Sequence, residues 1–247
     1  MYWIAVILLL LPADLSAQKY TLKKLESSEI AITSRWDSSI PKEDVKFLAP
    51  YKARVDSVMK RVIGHSDVYM TDRRPESLLS NFISDVLLKS AAAYGGADMS
   101  VMNMGGLRSI MPKGNITFGD VFEISPFENM YTIVTMRGSD VQKLFEQMAS
   151  VGGEGIAGAT MVITATGKLL DAKMGGKAID PDATYRIATL DYLAEGNDKM
   201  EAFKLATKKN ITTKTVRQVL IDYISNEEAQ GRAITSKLEG RVTVSDK

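Results

Sequence analysis

Helical and strand-like periodicities are interleaved along this chain without a regular β-α-β rhythm, and that irregularity constrains the fold most. A doubly wound parallel sheet needs steady alternation of strand and helix. Irregular order favours an α+β architecture with mixed sheets. The strongest helical pattern opens at Arg74-Pro75-Glu76. There Leu78, Leu79, Phe82, Ile83, Val86 and Leu87 form one apolar stripe, closed by Gly95-Gly96. Residues 99–102 read as a short buried strand that runs into a glycine turn, and residues 129–136 are strand-like. Ser139-Asp140-Val141-Gln142 reads as a capping box for a helix with Val141, Leu144, Phe145 and Met148 inward. Residues 152–158 read as a flexible glycine-rich connector. Residues 159–187 read as a run of strands turning at Gly167-Lys168 and Gly175-Gly176. Thr213 is expected to cap a last helix with Val216, Val219, Leu220, Tyr223 and Ile224 inward, before a final strand at 241–244. Upstream, residues 20–37 suit a strand or an extended lead-in. Residues 41–62 place Val45, Leu48, Tyr51, Val55, Val58 and Val62 at near-helical spacing, with Pro50 expected to break or kink the helix.

The chain has 247 residues, no internal repeat and no low-complexity linker. The expected organisation is an export segment at 1–17 and one domain at 18–247. Residues 18–70 form its lead-in and helix, and 71–247 its core. Such a length buries a substantial core without metal or disulfide staples. A formal charge of +1 provides no general basic field for nucleic acid, so any anion site must be local. The absence of cysteine excludes disulfides, thiolate nucleophiles and cysteine-ligated zinc. Residues 3–11 are an uninterrupted apolar run, too short for a bilayer span of roughly 20 residues. Leu15-Ser16-Ala17 before Gln18 offers a cleavage point, which suits a signal peptide. No Lys or Arg precedes the run, so an uncleaved anchor is the competing reading. An exported, cysteine-free chain fits a bacterial periplasm, with no stable membrane span after signal cleavage.

Three loops carry the chemistry. The first is Asn103-Met104-Gly105-Gly106-Leu107-Arg108. Adjacent glycines at a strand end let backbone amides approach an oxyanion, and an arginine after the turn adds a bidentate fork. Asn103 can donate and accept toward a sugar or a base edge. The plain alternative is a tight turn with a solvated arginine. The second loop holds Pro126-Phe127-Glu128-Asn129, and the third runs from Thr189 through Tyr192, Gly196 and Asn197 to Asp198. A lone loop aromatic usually plugs the core, but Phe127 and Tyr192 together can clamp a base from both faces. Asp198 can accept both hydroxyls of a ribose or cap a helix starting near Lys199-Met200. Arg73 and Arg74 are either solvated or, with Arg74 favoured, placed at a phosphate beside Arg108. His65 is the sole histidine, and a two-metal hydrolytic centre is built from several histidines and aspartates. The sequence carries no Walker loop, nucleophile elbow or zinc-protease motif.

Taken together, these loops resemble the C-terminal domain of the 5'-nucleotidase and UDP-sugar hydrolase family. The resemblance runs from about residue 76 to 244. It includes Asn81-Phe82-Ile83-Ser84-Asp85, the glycine-Leu-Arg loop, Gly114-Asn115-Ile116-Thr117-Phe118, Pro126-Phe127 and Thr184-Tyr185-Arg186-Ile187-Ala188-Thr189-Leu190. It implies a four-layer αββα sandwich in which Phe127 and Tyr192 hold the base and Asp198 the ribose hydroxyls. Arg108, with an arginine near the Pro75 helix, would take the 5'-phosphate; Asn103 would contact the ribose or base edge. Gly105, Gly106 and Asn197 complete the expected substrate-binding set. Two stretches depart from the family pattern. Gly196-Asn197-Asp198-Lys199-Met200 stands where Gly-Gly-Asp-Gly-aromatic is usual, and Glu128 stands where glycine is usual.

In that family the metals and catalytic histidines lie in a metallophosphoesterase domain, for which this chain carries no motif. Phosphate monoester hydrolysis needs up to ~10²¹-fold acceleration. Arginines and aromatics position a substrate but generate no hydroxide nucleophile at neutral pH. The expectation is a nucleotide-recognition component, inactive alone and with no cofactor in this chain. A separate metallophosphoesterase subunit would carry divalent metals such as Zn or Mn. The alternative is a stand-alone nucleoside or nucleotide binder.

Overall fold

The computed structural model describes residues 22–245, so the expected export segment lies outside the described residues. The chain divides into two compact units, one up to Leu48 and one from Ala49. In the first unit, residues 22–33 have no regular structure. A 3-10 turn follows at Ser34–Ser39, and helix α1 (Lys42–Met59) begins after it. No strand forms around Ile30 and Ile32, which are exposed. Alternation alone gives a strand no partner for its N–H and C=O groups. Helix α1 contains Pro50 without ending there. A proline removes one intrahelical hydrogen bond, yet the helix runs on to Met59. The helix ends at Met59, so Val62 belongs to the next strand.

The second unit contains, in chain order, β1 (Val62–Ser66), α2 (Leu78–Ser90), β2 (Met99–Met102), β3 (Gly114–Thr117), α3 (Phe118–Ile124), β4 (Met130–Arg137), α4 (Gly138–Ser150) and β5 (Gly155–Ala157). It continues with β6 (Ala159–Ile163), β7 (Leu169–Met174), β8 (Lys177–Ala178), β9 (Thr184–Leu190), α5 (Asp191–Ala194), β10 (Lys208–Thr215), α6 (Val216–Ala229) and β11 (Val242–Val244). Among the described residues, a five-stranded sheet has the order β10-β4-β9-β2-β5 and a four-stranded sheet the order β11-β6-β7-β8. Both are mixed: β2 runs parallel to β9 and β11 parallel to β6, while the other pairs are antiparallel. Helices on two mixed sheets make this an α+β fold. No described helix is long and apolar enough to cross a membrane.

Burial follows the sequence pattern closely on α2. Leu79, Phe82, Ile83, Val86 and Leu87 are all buried, each worth roughly 1.5–3 kcal/mol of transfer free energy. Strand β2 is buried on both faces, which explains its short continuous apolar run. The topology then positions three loops. Strands β2 and β9 are parallel neighbours, so their carboxyl ends leave the sheet on the same edge. Strand β4 is antiparallel to β9, with Tyr131 opposite Leu190, so the loop that enters β4 meets that edge too.

Three local expectations are corrected. Residues 152–158 are not a loose connector: Gly155–Ala157 form an edge strand paired with Ser100–Met102. The glycine serves close approach, since a Cβ on Gly155 would lie 2.8 Å from Ser84 Oγ and 3.2 Å from the Met102 carbonyl. Helix α4 starts at Gly138 with no side-chain cap. Its first amides instead donate to the Ala183 and Pro181 carbonyls, so the neighbouring loop replaces a capping box. Thr215, not Thr213, caps α6, accepting from the Gln218 amide at 3.1 Å, because β10 extends to Thr215.

Candidate functional site

The three loops enclose one cleft of about 220 Å³. Asn103, Gly105, Gly106 and Arg108 enter from the β2 end. Phe127 and Asn129 enter from the loop before β4, and Tyr192 and Asp198 from the segment after β9. Phe127 and Tyr192 are 45% and 39% exposed, so neither plugs the core. The Arg108 guanidinium carbon lies 5.9 Å from the Phe127 ring centroid, within cation–π range. Asn129 belongs to this lining although the sequence assigned it no role. The hint was its place two residues after Phe127, which in an extended loop returns a side chain to the same face.

Asp198 is the most tightly specified of these groups. Tyr192 Oη donates to its Oδ1 at 2.9 Å, and Asn103 Nδ2 donates to its Oδ2 at 2.6 Å. Both carboxylate oxygens keep lone pairs for further donors. The Tyr192 phenol is held above its usual pKa, first by the hydrogen bond to Asp198. The backbone beneath is strained: Asp198 and Lys199 have φ of +52° and +66°, which costs non-glycine residues roughly 1–2 kcal/mol each. Asn197 holds this turn from outside the cleft lining, its Nδ2 donating to the Tyr192 carbonyl at 2.8 Å. Asp198 caps no helix, because the next turn, a 3-10 segment at Glu201–Leu205, follows Met200.

Asn103 is 4% exposed, and its Oδ1 is buried without a partner. An orphaned buried acceptor costs roughly 1–3 kcal/mol, and this one belongs to a cleft residue. Gly106 packs against it: a Cβ there would lie 2.9 Å from Asn103 Oδ1, so the Asn103 side chain would have to shift.

Arg74 does not line the cleft. Its Nε donates to the Val151 carbonyl at 2.8 Å and its Nη2 to Glu154 Oε1 at 2.6 Å. Arg73 is exposed. Glu154 is 2% exposed, and its other oxygen accepts the Met104 amide at 2.6 Å. A buried carboxylate thus braces the glycine turn from behind. Burial pushes the Glu154 carboxyl above its ordinary pKa, against the opposing Met104 amide and Arg74. No sequence signal marked Glu154, because it sits in the stretch that reads as a connector. Glu128 adds no charge to the cleft lining, since it pairs with Arg217 of α6. His65 lies on β1 and meets Glu228 at 2.7 Å, also outside the cleft lining. A wider depression of about 550 Å³ between α4 and β7 is lined by Gln142, Glu146, Lys168 and Asp171 among others. It contains neither an arginine nor an aromatic ring, so it lacks the groups that grip a nucleotide.

The model of the 5'-nucleotidase C-terminal domain matches residues 62–205, more than half of the chain. The chain belongs to this family. Protein UshA of Yersinia enterocolitica is 33% identical over 162 residues, covering 62% of this chain and 29% of that protein. The trifunctional nucleotide phosphoesterase YfkN of Bacillus subtilis is 28% identical over 215 residues, covering 79% of this chain and 14% of that protein. Among solved structures, the 5'-nucleotidase precursor of Thermus thermophilus superposes with a TM-score of 0.73 at 25% identity, over 81% of this chain and 42% of that one. The chain therefore spans well under half the length of these relatives. The Thermus thermophilus sulfate thiohydrolase SoxB shares the fold at 17% identity and a TM-score of 0.63.

Proposed function

We propose that this protein is the nucleotide-recognition component of a 5'-nucleotidase-type phosphohydrolase, exported to a bacterial periplasm and acting in nucleotide catabolism. One observation carries the reading: two exposed aromatic rings, an arginine and a doubly anchored carboxylate line one cleft. Phe127 and Tyr192 stack on the base, a contact worth roughly 1–3 kcal/mol per base whatever the base identity. Asp198 accepts the ribose hydroxyls, and the unpartnered Asn103 Oδ1 takes a donor from the sugar or the base edge. Arg108 meets the 5'-phosphate beside Gly105 and Gly106. The cleft is smaller than the ~300–1,000 Å³ usual for small-molecule sites. It thus suits a base and sugar, with the phosphate at its mouth beside Arg108. Hydrolysis needs an activated water, and we assign that chemistry to a separate metallophosphoesterase polypeptide carrying divalent metals such as Zn or Mn.

Calorimetric titration with adenosine 5'-monophosphate tests the recognition half of this reading. Binding that is lost in the Phe127→Ala, Tyr192→Ala double variant is the expected result; unchanged affinity in that variant overturns it. A phosphatase assay with added Mn²⁺ or Zn²⁺ tests the other half. Robust turnover by the purified chain would rule out the need for a catalytic partner. Tight binding with no partner captured would favour a stand-alone binder.

A further inference from the structure

We infer that Arg217 is a positioning residue for base recognition: it sets the pose of Phe127 from behind the cleft. The proposal rests on the nucleotide reading above and goes beyond it by naming what aims the base-stacking ring. Arg217 sits in the first turn of α6 and does not line the cleft. Its side chain is only 11% exposed. Nη1 lies 3.1, 3.0 and 3.4 Å from the carbonyl oxygens of Ser125, Pro126 and Phe127. Nη2 pairs with Glu128, and the guanidinium carbon lies 4.5 Å from the Phe122 ring centroid. One cation therefore gathers four consecutive residues of the loop and an aromatic ring of α3. The preceding residue of α6 completes the arrangement: the Val216 amide donates to the Asn129 carbonyl at 2.9 Å. The first turn of α6 thus grips the loop through Phe127 and again at Asn129, and both of those residues line the cleft.

The placement runs against local electrostatics. A cation in the first turn of a helix opposes the macrodipole, and a buried guanidinium is costly unless fully paired. Glu128 and the three carbonyls supply that pairing. Only a planar fork with five donors can span three carbonyls and a carboxylate while stacking on a ring, which a lysine ammonium cannot do. The Glu128 departure from the family pattern then has a physical role as the counter-ion of this staple.

The test compares adenosine 5'-monophosphate with ribose 5-phosphate by calorimetry, for wild type, Arg217→Lys and Arg217→Met. Ribose 5-phosphate lacks the base, so it reports on the sugar and phosphate groups alone. The expected result for Arg217→Met is a loss of about tenfold or more in nucleotide affinity, the share of a single stacked base. Affinity for ribose 5-phosphate should stay within about twofold, with Arg217→Lys intermediate. General damage to the fold would lower both affinities together, and that outcome overturns the proposal. Equal nucleotide affinity in all three proteins overturns it too. If Arg217→Met does not fold, Arg217→Lys carries the test in a cycle with Phe127→Ala. Arg217→Lys should cost nothing further once the ring is gone, and full additivity refutes action through Phe127. A wild type that binds no nucleotide sinks the parent reading. A wild type that prefers the nucleotide, with variants that keep this preference, sinks the present one alone.

Discussion

Replacing Glu154 with glutamine or leucine probes the brace behind the glycine turn. Two losses and one opposing gain set the magnitude. Glu154→Leu leaves the Met104 amide without an acceptor in a residue that is 1% exposed, which costs roughly 1–3 kcal/mol. It also frees Arg74, whose side chain is about a third exposed and keeps the Val151 carbonyl. That loss is screened and adds at most about 1 kcal/mol. Against both stands relief from burying a carboxylate, since burial is the largest influence on Glu154 and raises its pKa. The net expectation is destabilisation of about 2 kcal/mol, or roughly 4–8 °C in Tm for a chain of this size. Glu154→Gln retains an acceptor for Met104 and should lose about half as much.

The pH dependence has a definite sign. A carboxyl whose folded pKa is raised stabilises fully below its unfolded value near 4.5 and loses that contribution as pH climbs through the folded pKa. The advantage of wild type over Glu154→Gln, read from urea melts across acid to neutral pH, should therefore shrink as pH increases. An advantage that grows with pH would show that pairing with Arg74 outweighs burial, and would refute the reasoning.

Gly106→Ala should impair binding with little effect on stability, because the new Cβ would press on Asn103 at 2.9 Å; titration with adenosine 5'-monophosphate beside a thermal melt separates the two. Tyr192→Phe keeps the ring but removes one donor to Asp198, so nucleotide affinity should change by less than about tenfold. Asp198→Asn turns an acceptor into a donor toward the ribose and should lower affinity by about tenfold or more, as the same titration reads. Thr215→Ala deletes the cap of α6 and should cost about 1 kcal/mol in chemical denaturation.

Much of this site was legible in the sequence because its groups sit in short loops at the ends of apolar runs. Such runs announce buried strands, and the glycines, aromatics and aspartate beside them stand out against a solvated background. That reasoning located Asn103, Arg108, Phe127, Tyr192 and Asp198, which the structure gathers into one cleft. It did not place Arg74, because the choice between a solvated arginine, a phosphate ligand and a partner of Glu154 depends on residues 80 positions apart. Glu154 and Arg217 escaped for the same reason: each acts through long-range carbonyls and amides that leave no local pattern. The edge strand at Gly155–Ala157 is hidden by the glycines in and beside it. They read as freedom when they mark close approach. Ser139 does not cap α4 because the Ala183 and Pro181 carbonyls accept from its first amides, and Thr213 does not cap α6 because β10 runs on to Thr215.

All three loops hang from adjacent strands of one sheet, β2, β9 and β4. The sheet can therefore stay as it is while the loops change, but the loops are coupled: Asn103 of the first donates to Asp198 of the third, and Arg108 of the first sits over Phe127 of the second. A chain built this way separates the question of whether it folds from the question of whom it greets, and a new preference needs matched changes in loops that touch.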